Sequence, residues 1–157
     1  MTIRPLAAAD VASLARGLAA LPLMQRYGRS EGSIAADLRA ALARGDGLLV
    51  AEEAGAPSGL AWFLRAGTLA MGGYLKLIAV LPGAQGGGSG AALLAAFEAE
   101  VSRSSAHGFL LVSDFNAGAQ RFYERHGWTR AGALPGLVLP GVSELLYWKR
   151  LRPPGQG

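Results

Sequence analysis

The 157-residue chain contains no cysteine. That absence removes disulfides, thiolate metal centres and a cysteine nucleophile together. Histidine is nearly missing too, with only His107 and His126 present. Two imidazoles are too few for a multi-histidine metal site, so no metal is expected. No run of about 18 apolar residues occurs, which excludes an expected membrane-spanning helix. The first residues carry Arg4 and Asp10 but lack the apolar segment of a secretory leader. Internal repeats and interdomain linkers are absent as well, while 51% of the residues are hydrophobic, which argues against disorder. The expectation is a cytoplasmic protein with one domain over residues 1–151, followed by a disordered tail at 152–157, "RPPGQG".

Charge of one sign is not concentrated anywhere. The net charge of +4 is spread from Arg4 to Arg152, and Trp62, Trp128 and Trp148 do not cluster with the basic residues. A polyanionic small molecule accounts for so mild an excess without nucleic acid.

Glycine, by contrast, is abundant at 23 residues. It is densest in "VLPGAQGGGSGAALL", residues 80–94, just ahead of a helix former. The surrounding pattern reads as βααβββαβαββ, an α/β (α+β) arrangement in which helices pack on a mixed sheet. "TIRP" begins as a strand, and Asp10 precedes a helix with Val11, Leu14, Leu18 and Leu21 on one face. "PLMQRYGRSEG" reads as a loop. Ser33 is placed to cap a second helix with Ile34, Leu38 and Leu42, which Gly45 stops. "GLLVAEE" and "GLAWFLR" form a hairpin and "YLKLIAV" a further strand leading into the glycine loop. A helix from Gly90 to Ser102, the strand "FLLVS", a helix from Ala117 to His126 and two closing strands complete the order.

Glycines before a helix let unpaired backbone amides close on an anion, and phosphate or pyrophosphate is the natural guest. A Walker loop is excluded because no Gly-Lys-Ser/Thr follows. A dinucleotide fingerprint is matched by Gly86, Gly88 and Ala91 with Asp114 downstream, giving an NAD(P)-binding oxidoreductase as one alternative. Five residues separate Val80 from Gly86, however, where that fold turns directly after its strand.

The arrangement resembles the GNAT superfamily of acyl-CoA-dependent N-acyltransferases. "IAVLPGAQGGGSGA" matches the family's Gln/Arg-x-x-Gly-x-Gly/Ala signature through Gln85, Gly88 and Gly90. "NAGAQRFYERHGW" supplies a second element through Asn116, Ala119, Tyr123, Gly127 and Trp128. The resemblance implies a GNAT fold with a mixed, mostly antiparallel sheet of six to seven strands and about four helices. It also implies N-acetyltransferase activity with acetyl-CoA as co-substrate and a small-molecule or peptide amine as acceptor. Amides from Gln85, Gly86, Gly87, Gly88, Ser89, Gly90 and Ala91 would hold the pyrophosphate. The pantetheine arm would lie along Ile78, Ala79 and Val80 as an added strand does, with Asn116 and Tyr123 also contacting the cofactor. Asn116 can equally be a helix N-cap. A non-enzymatic acyl-CoA-binding module is the second alternative.

Acyl transfer to an amine needs a neutral nucleophile, a donor for the oxyanion and a proton for the leaving sulfur. An amide near Val80 or Leu81 serves the oxyanion in this reading. Tyr123 is the expected acid, because a phenol holds its proton at neutral pH. Of the 11 carboxylates, Glu31, Asp46, Asp114 and Glu144 stand at loops or strand ends. Relatives with a similar Asn116 region often place Glu where Leu111 sits, and others carry an acid on the strand occupied by Tyr74-Leu-Lys76. Both departures favour deprotonation through water or an acceptor that arrives neutral. Tyr27, Trp62, Tyr74 and Lys76 are the candidate acceptor-binding residues, Trp62 and Tyr74 being equally suited to the core. Arg26, Arg29 and Lys76 point to an acceptor bearing its own carboxylate or phosphate. Exposed strand edges and the apolar "GLVLPG" are compatible with a homodimer.

Overall fold

The computed structural model of the chain describes residues 1–152; the expected tail from Pro153 onward lies outside them. Strands β1 (Thr2–Pro5), β2 (Gly47–Glu53), β3 (Ala56–Thr68), β4 (Gly72–Val80), β5 (His107–Ser113), β6 (Thr129–Pro135) and β7 (Ser143–Arg150) are joined by helices α1 (Val11–Ala19), α2 (Pro22–Arg26), α3 (Glu31–Arg44), α4 (Ser89–Ser102) and α5 (Ala117–Arg125). The strands hydrogen-bond in the order β1-β2-β3-β4-β5-β7-β6, so the last strand inserts between the two before it. β4 and β5 pair in parallel, whereas β1–β2, β2–β3, β5–β7 and β6–β7 are antiparallel. The expected mixed, mostly antiparallel sheet is therefore present.

The residues group into two compact units. The first comprises Met1–Phe63 and Leu77–Phe97. Its core gathers Val11, Leu14 and Leu18 from α1, Ile34 and Leu38 from α3, and Leu48, Val50, Leu60 and Trp62 from β2 and β3. Each large side chain so buried contributes about 1.5–3 kcal/mol. Arg4 on β1 grips Asp10 through its two terminal guanidinium nitrogens at 2.7 and 3.0 Å and reaches Glu52 of β2 through Nε at 2.6 Å.

Two local readings change. The segment read as a loop contains α2, with Pro22 in its first turn, where a missing N–H costs nothing. Ser30, not Ser33, is the N-cap of α3; the two serines cap each other, Ser33 N–H donating to Ser30 Oγ at 3.1 Å and Ser30 N–H to Ser33 Oγ at 3.0 Å. Gly45 ends α3 in the left-handed conformation, as expected.

The second unit comprises Leu64–Lys76 and the segment from Glu98. Here the parallel ladder joins Gly72–Leu75 to His107–Leu110. β7 pairs with β5 along its length, placing Glu144 across from Ser113. Tyr147 is buried, and its hydroxyl donates to Glu124 of α5 at 2.9 Å.

Candidate active site

In the first unit, the chain leaves β4 and runs through three left-handed glycines before α4. Gly83, Gly86 and Gly88 have φ of +88°, +86° and +85°, and nothing lies within 4 Å of where a Cβ would stand. This alternation of backbone hands turns successive amides toward one side, the geometry of an anion nest. Gln85, Gly86, Gly87 and Gly88 are exposed, and Gly90 and Ala91 are half-buried in the first turn of α4. Ser89, the first residue of that helix, is 1% exposed, and its hydroxyl donates to Glu53 at 2.8 Å. Glu53 thus anchors the loop to the end of β2. A partner 36 residues away leaves no periodic trace in the sequence.

The edge of β4 decides which amide can face a ligand. Leu81 N–H donates to Ser58 O at 2.8 Å, so it is committed to β3 and is not the oxyanion donor. Successive residues of a strand direct their N–H and C=O groups to opposite edges. Ile78 and Val80 therefore present theirs to the other side. Among the described residues, the β4–β5 ladder ends at Leu75 while β4 runs on to Val80.

The second unit carries the other predicted cofactor residues. Asn116 caps α5, its Oδ1 accepting Ala119 N–H at 3.1 Å. Its side-chain amide nitrogen is not used by this cap and can donate to a ligand. Tyr123 is 8% exposed and packs against Phe122, Trp128 and Tyr147 with ring centroids 5.2, 6.2 and 6.4 Å away. Burial, then the neighbouring charge of Tyr74, pushes its phenol well above the usual tyrosine range. Tyr74 is half-buried on β4 and is raised by burial and by the charge of Glu144.

The acceptor candidates divide. Tyr74 and Lys76 stand two apart on β4, Lys76 exposed. Tyr27 is half-buried at the end of α2. Trp62 lies in the first unit's core with its indole N–H donating to Asp46 at 2.9 Å, which stands against a direct acceptor contact. Arg29 is paired with Asp37, which removes one of the charges invoked for an anionic acceptor.

The acetyltransferase (GNAT) domain model matches residues 44–130, more than half of the chain. The chain belongs to the GNAT acetyltransferase family. Solved structures agree in fold. An aminoglycoside 6'-N-acetyltransferase complexed with coenzyme A superposes with a TM-score of 0.82 at 17% identity, covering 98% of both chains. A ribosomal-protein-alanine N-acetyltransferase from Brucella melitensis gives 0.75 at 19%, covering 96% of this chain and 99% of the other. A Salmonella typhimurium protein with its cofactor acetyl-CoA gives 0.73 at 20%, covering 98% and 95%. Curated protein sequences show no significant match. This GNAT acetyltransferase is an acyltransferase, and the oxidoreductase and binding-module alternatives are not supported. Dinucleotide folds need a largely parallel sheet, whereas β1–β2, β2–β3, β5–β7 and β6–β7 are antiparallel here. Asp114, the acid downstream of that fingerprint, instead accepts Ser143 N–H at 2.9 Å.

Proposed function

We propose that this acetyltransferase moves an acetyl group from acetyl-CoA to a primary amine of a small molecule or peptide, directly within a ternary complex, and that residues 1–151 act as one catalytic domain. The observation carrying this reading is the left-handed glycine run at the start of α4, which the family model spans. The amides of Gln85 to Gly90 would hold the pyrophosphate, favoured by the helix N-terminus. The Ile78 and Val80 edge of β4 would pair with the pantetheine amides, Val80 N–H remaining for the oxyanion. Asn116 would donate from its amide nitrogen.

Tyr123 is proposed as the acid. Its raised pKa keeps it protonated through the neutral range, but a free thiol near 8.5 is the stronger acid. Complete transfer to the sulfur is therefore uphill on its own. Tyr123 acts first as a hydrogen-bond donor as the C–S bond lengthens, and its proton moves fully only as the new amide nitrogen gives one up.

Thermal melting with saturating acetyl-CoA, CoA, NADH and NADPH tests the cofactor assignment. A ligand at about 100 times its Kd stabilises the fold by about 2.7 kcal/mol. The CoA pair is expected to raise Tm and the nicotinamide pair to leave it unchanged; the reverse result overturns the assignment.

A further inference from the structure

Most of the carboxylates on this chain already serve a structural partner. Asp10 is held by Arg4, Asp37 by Arg29, Glu98 by Lys149 and Glu100 by Arg65. Among the four acids at loops or strand ends, Asp46 bonds Arg44 and the Trp62 indole, and Asp114 accepts the Ser143 amide. Glu31 is an exposed first-turn acid of α3 facing Arg16 at 3.7 Å. Glu144 is set apart by its burial, not by any lack of partners. It is 5% exposed, and the Ser113 hydroxyl lies 3.2 and 3.4 Å from its two carboxylate oxygens.

Strand register places this acid. Ser113 of β5 and Leu134 of β6 stand on either side of Glu144 on β7. Phe109, four residues before Ser113, stands beside Tyr74 of β4. Residues directly across a ladder share a face, as do residues separated by an even number along one strand. Tyr74, Ser113, Glu144 and Leu134 therefore point to one side of the sheet. Tyr147 points to the other, where Tyr123 packs. The charge of Glu144 also raises the Tyr74 phenol on its own side of the sheet.

The geometry points to Glu144 as the catalytic base that receives the acceptor's ammonium group and takes its proton, with Ser113 as the residue positioning the carboxylate. This rests on the acetyltransferase reading above. R–NH3+ gives one proton to Glu144. The freed lone pair forms the N–C bond to the thioester carbonyl carbon. The C–S bond breaks with its electron pair going to sulfur, which takes the Tyr123 proton. The surplus proton on the amide nitrogen refills the phenol, and Glu144 releases its own to solvent. The sum is R–NH3+ and acetyl-CoA giving the acetamide, CoA thiol and one proton. An acceptor can thus arrive as a cation, against the expectation drawn from Arg26, Arg29 and Lys76.

The test compares wild type, Glu144→Gln, Glu144→Asp and Ser113→Ala. It measures acetyl-CoA melting shifts, and release of CoA thiol with tyramine, spermidine, an aminoglycoside and an alanine-initiated peptide from pH 6 to 10. Glu144→Gln is expected to keep the melting shift and lose about 100-fold in kcat at pH 7. Its rate should then climb about tenfold per pH unit toward the amine's own pKa, because a neutral amine needs no base. Glu144→Asp and Ser113→Ala should fall between it and wild type. Wild-type turnover in Glu144→Gln overturns the proposal, and so does a loss of equal size at every pH, the mark of a structural role. Should Glu144→Gln fail to fold, Glu144→Asp, which keeps the charge one methylene short, carries the same pH comparison. A wild-type chain whose melting ignores acetyl-CoA brings down the underlying reading itself and not Glu144 alone.

Discussion

Burial raises both phenols, helped by Tyr74 at Tyr123 and by Glu144 at Tyr74, so both stay protonated through the neutral range. Tyr123→Phe removes the hydroxyl but leaves the ring against Phe122, Trp128 and Tyr147. It should lower kcat about 100-fold while Tm and the acetyl-CoA melting shift stay near wild type. Unchanged turnover would take Tyr123 out of the chemistry. At this scale the sequence made some roles plain and hid others. Asn116 was legible as the cap of α5 because it sits in a short motif with fixed spacing. The contacts of Glu53 with Ser89 and of Glu144 with Ser113 were not, since each joins residues more than 30 apart. The loss of Leu81 as an oxyanion donor has the same origin: strand pairing decides which amides are committed.

Among the elements, the long helices and the strands followed their periodicity, and Gly45 marked a true stop. The short helix α2 was missed because five residues are too few to show a repeat. Ser33 was read as the cap of α3, whereas in the fold Ser30 holds that place and each serine bonds the other's amide. The start of the parallel β4–β5 ladder offers a sharper test. A Cβ on Gly72 would stand 2.3 Å from the His107 carbonyl oxygen and 2.8 Å from the Phe109 ring. Backbone cannot yield there as a flexible side chain would. Gly72→Ala should cost about 2 kcal/mol or more, read as a lowered Tm. Gly132 on β6 is the control, because nothing lies within 4 Å of its added Cβ. Gly132→Ala should change stability by no more than about 0.5 kcal/mol. Equal effects of the two substitutions would contradict the register described for β4 and β5.

For the molecule as a whole, acid should be the condition that separates folded from unfolded through the Arg4 cluster. The two-pronged contact with Arg4 holds the Asp10 carboxyl below its usual range, helped by the amide of Ala7. A carboxylate depressed in the folded state stabilises at any pH above its unfolded pKa, near 3.9, and that contribution fades as pH falls through the lower folded value. Tm should therefore hold between pH 7 and pH 5 and fall below about pH 4. Asp10→Asn should cost about 2 kcal/mol at pH 7 and flatten that acid limb. An acid limb of the same steepness in Asp10→Asn would assign it to other groups.

Both margins of the sheet end in the same pair of residue types. β1 closes with Arg4 and Pro5, while β6 carries Arg130 as its second residue, breaks register between Arg130 and Gly132, and finishes at Pro135. A proline has no amide hydrogen to offer an incoming strand, and a charge or a bulge spoils the flat template that strand would need. The sheet thus carries guards against edge-to-edge aggregation. Growth into fibrils by strand addition is discouraged at each margin, even though Leu134, Leu137 and Val138 leave apolar surface beside the second one.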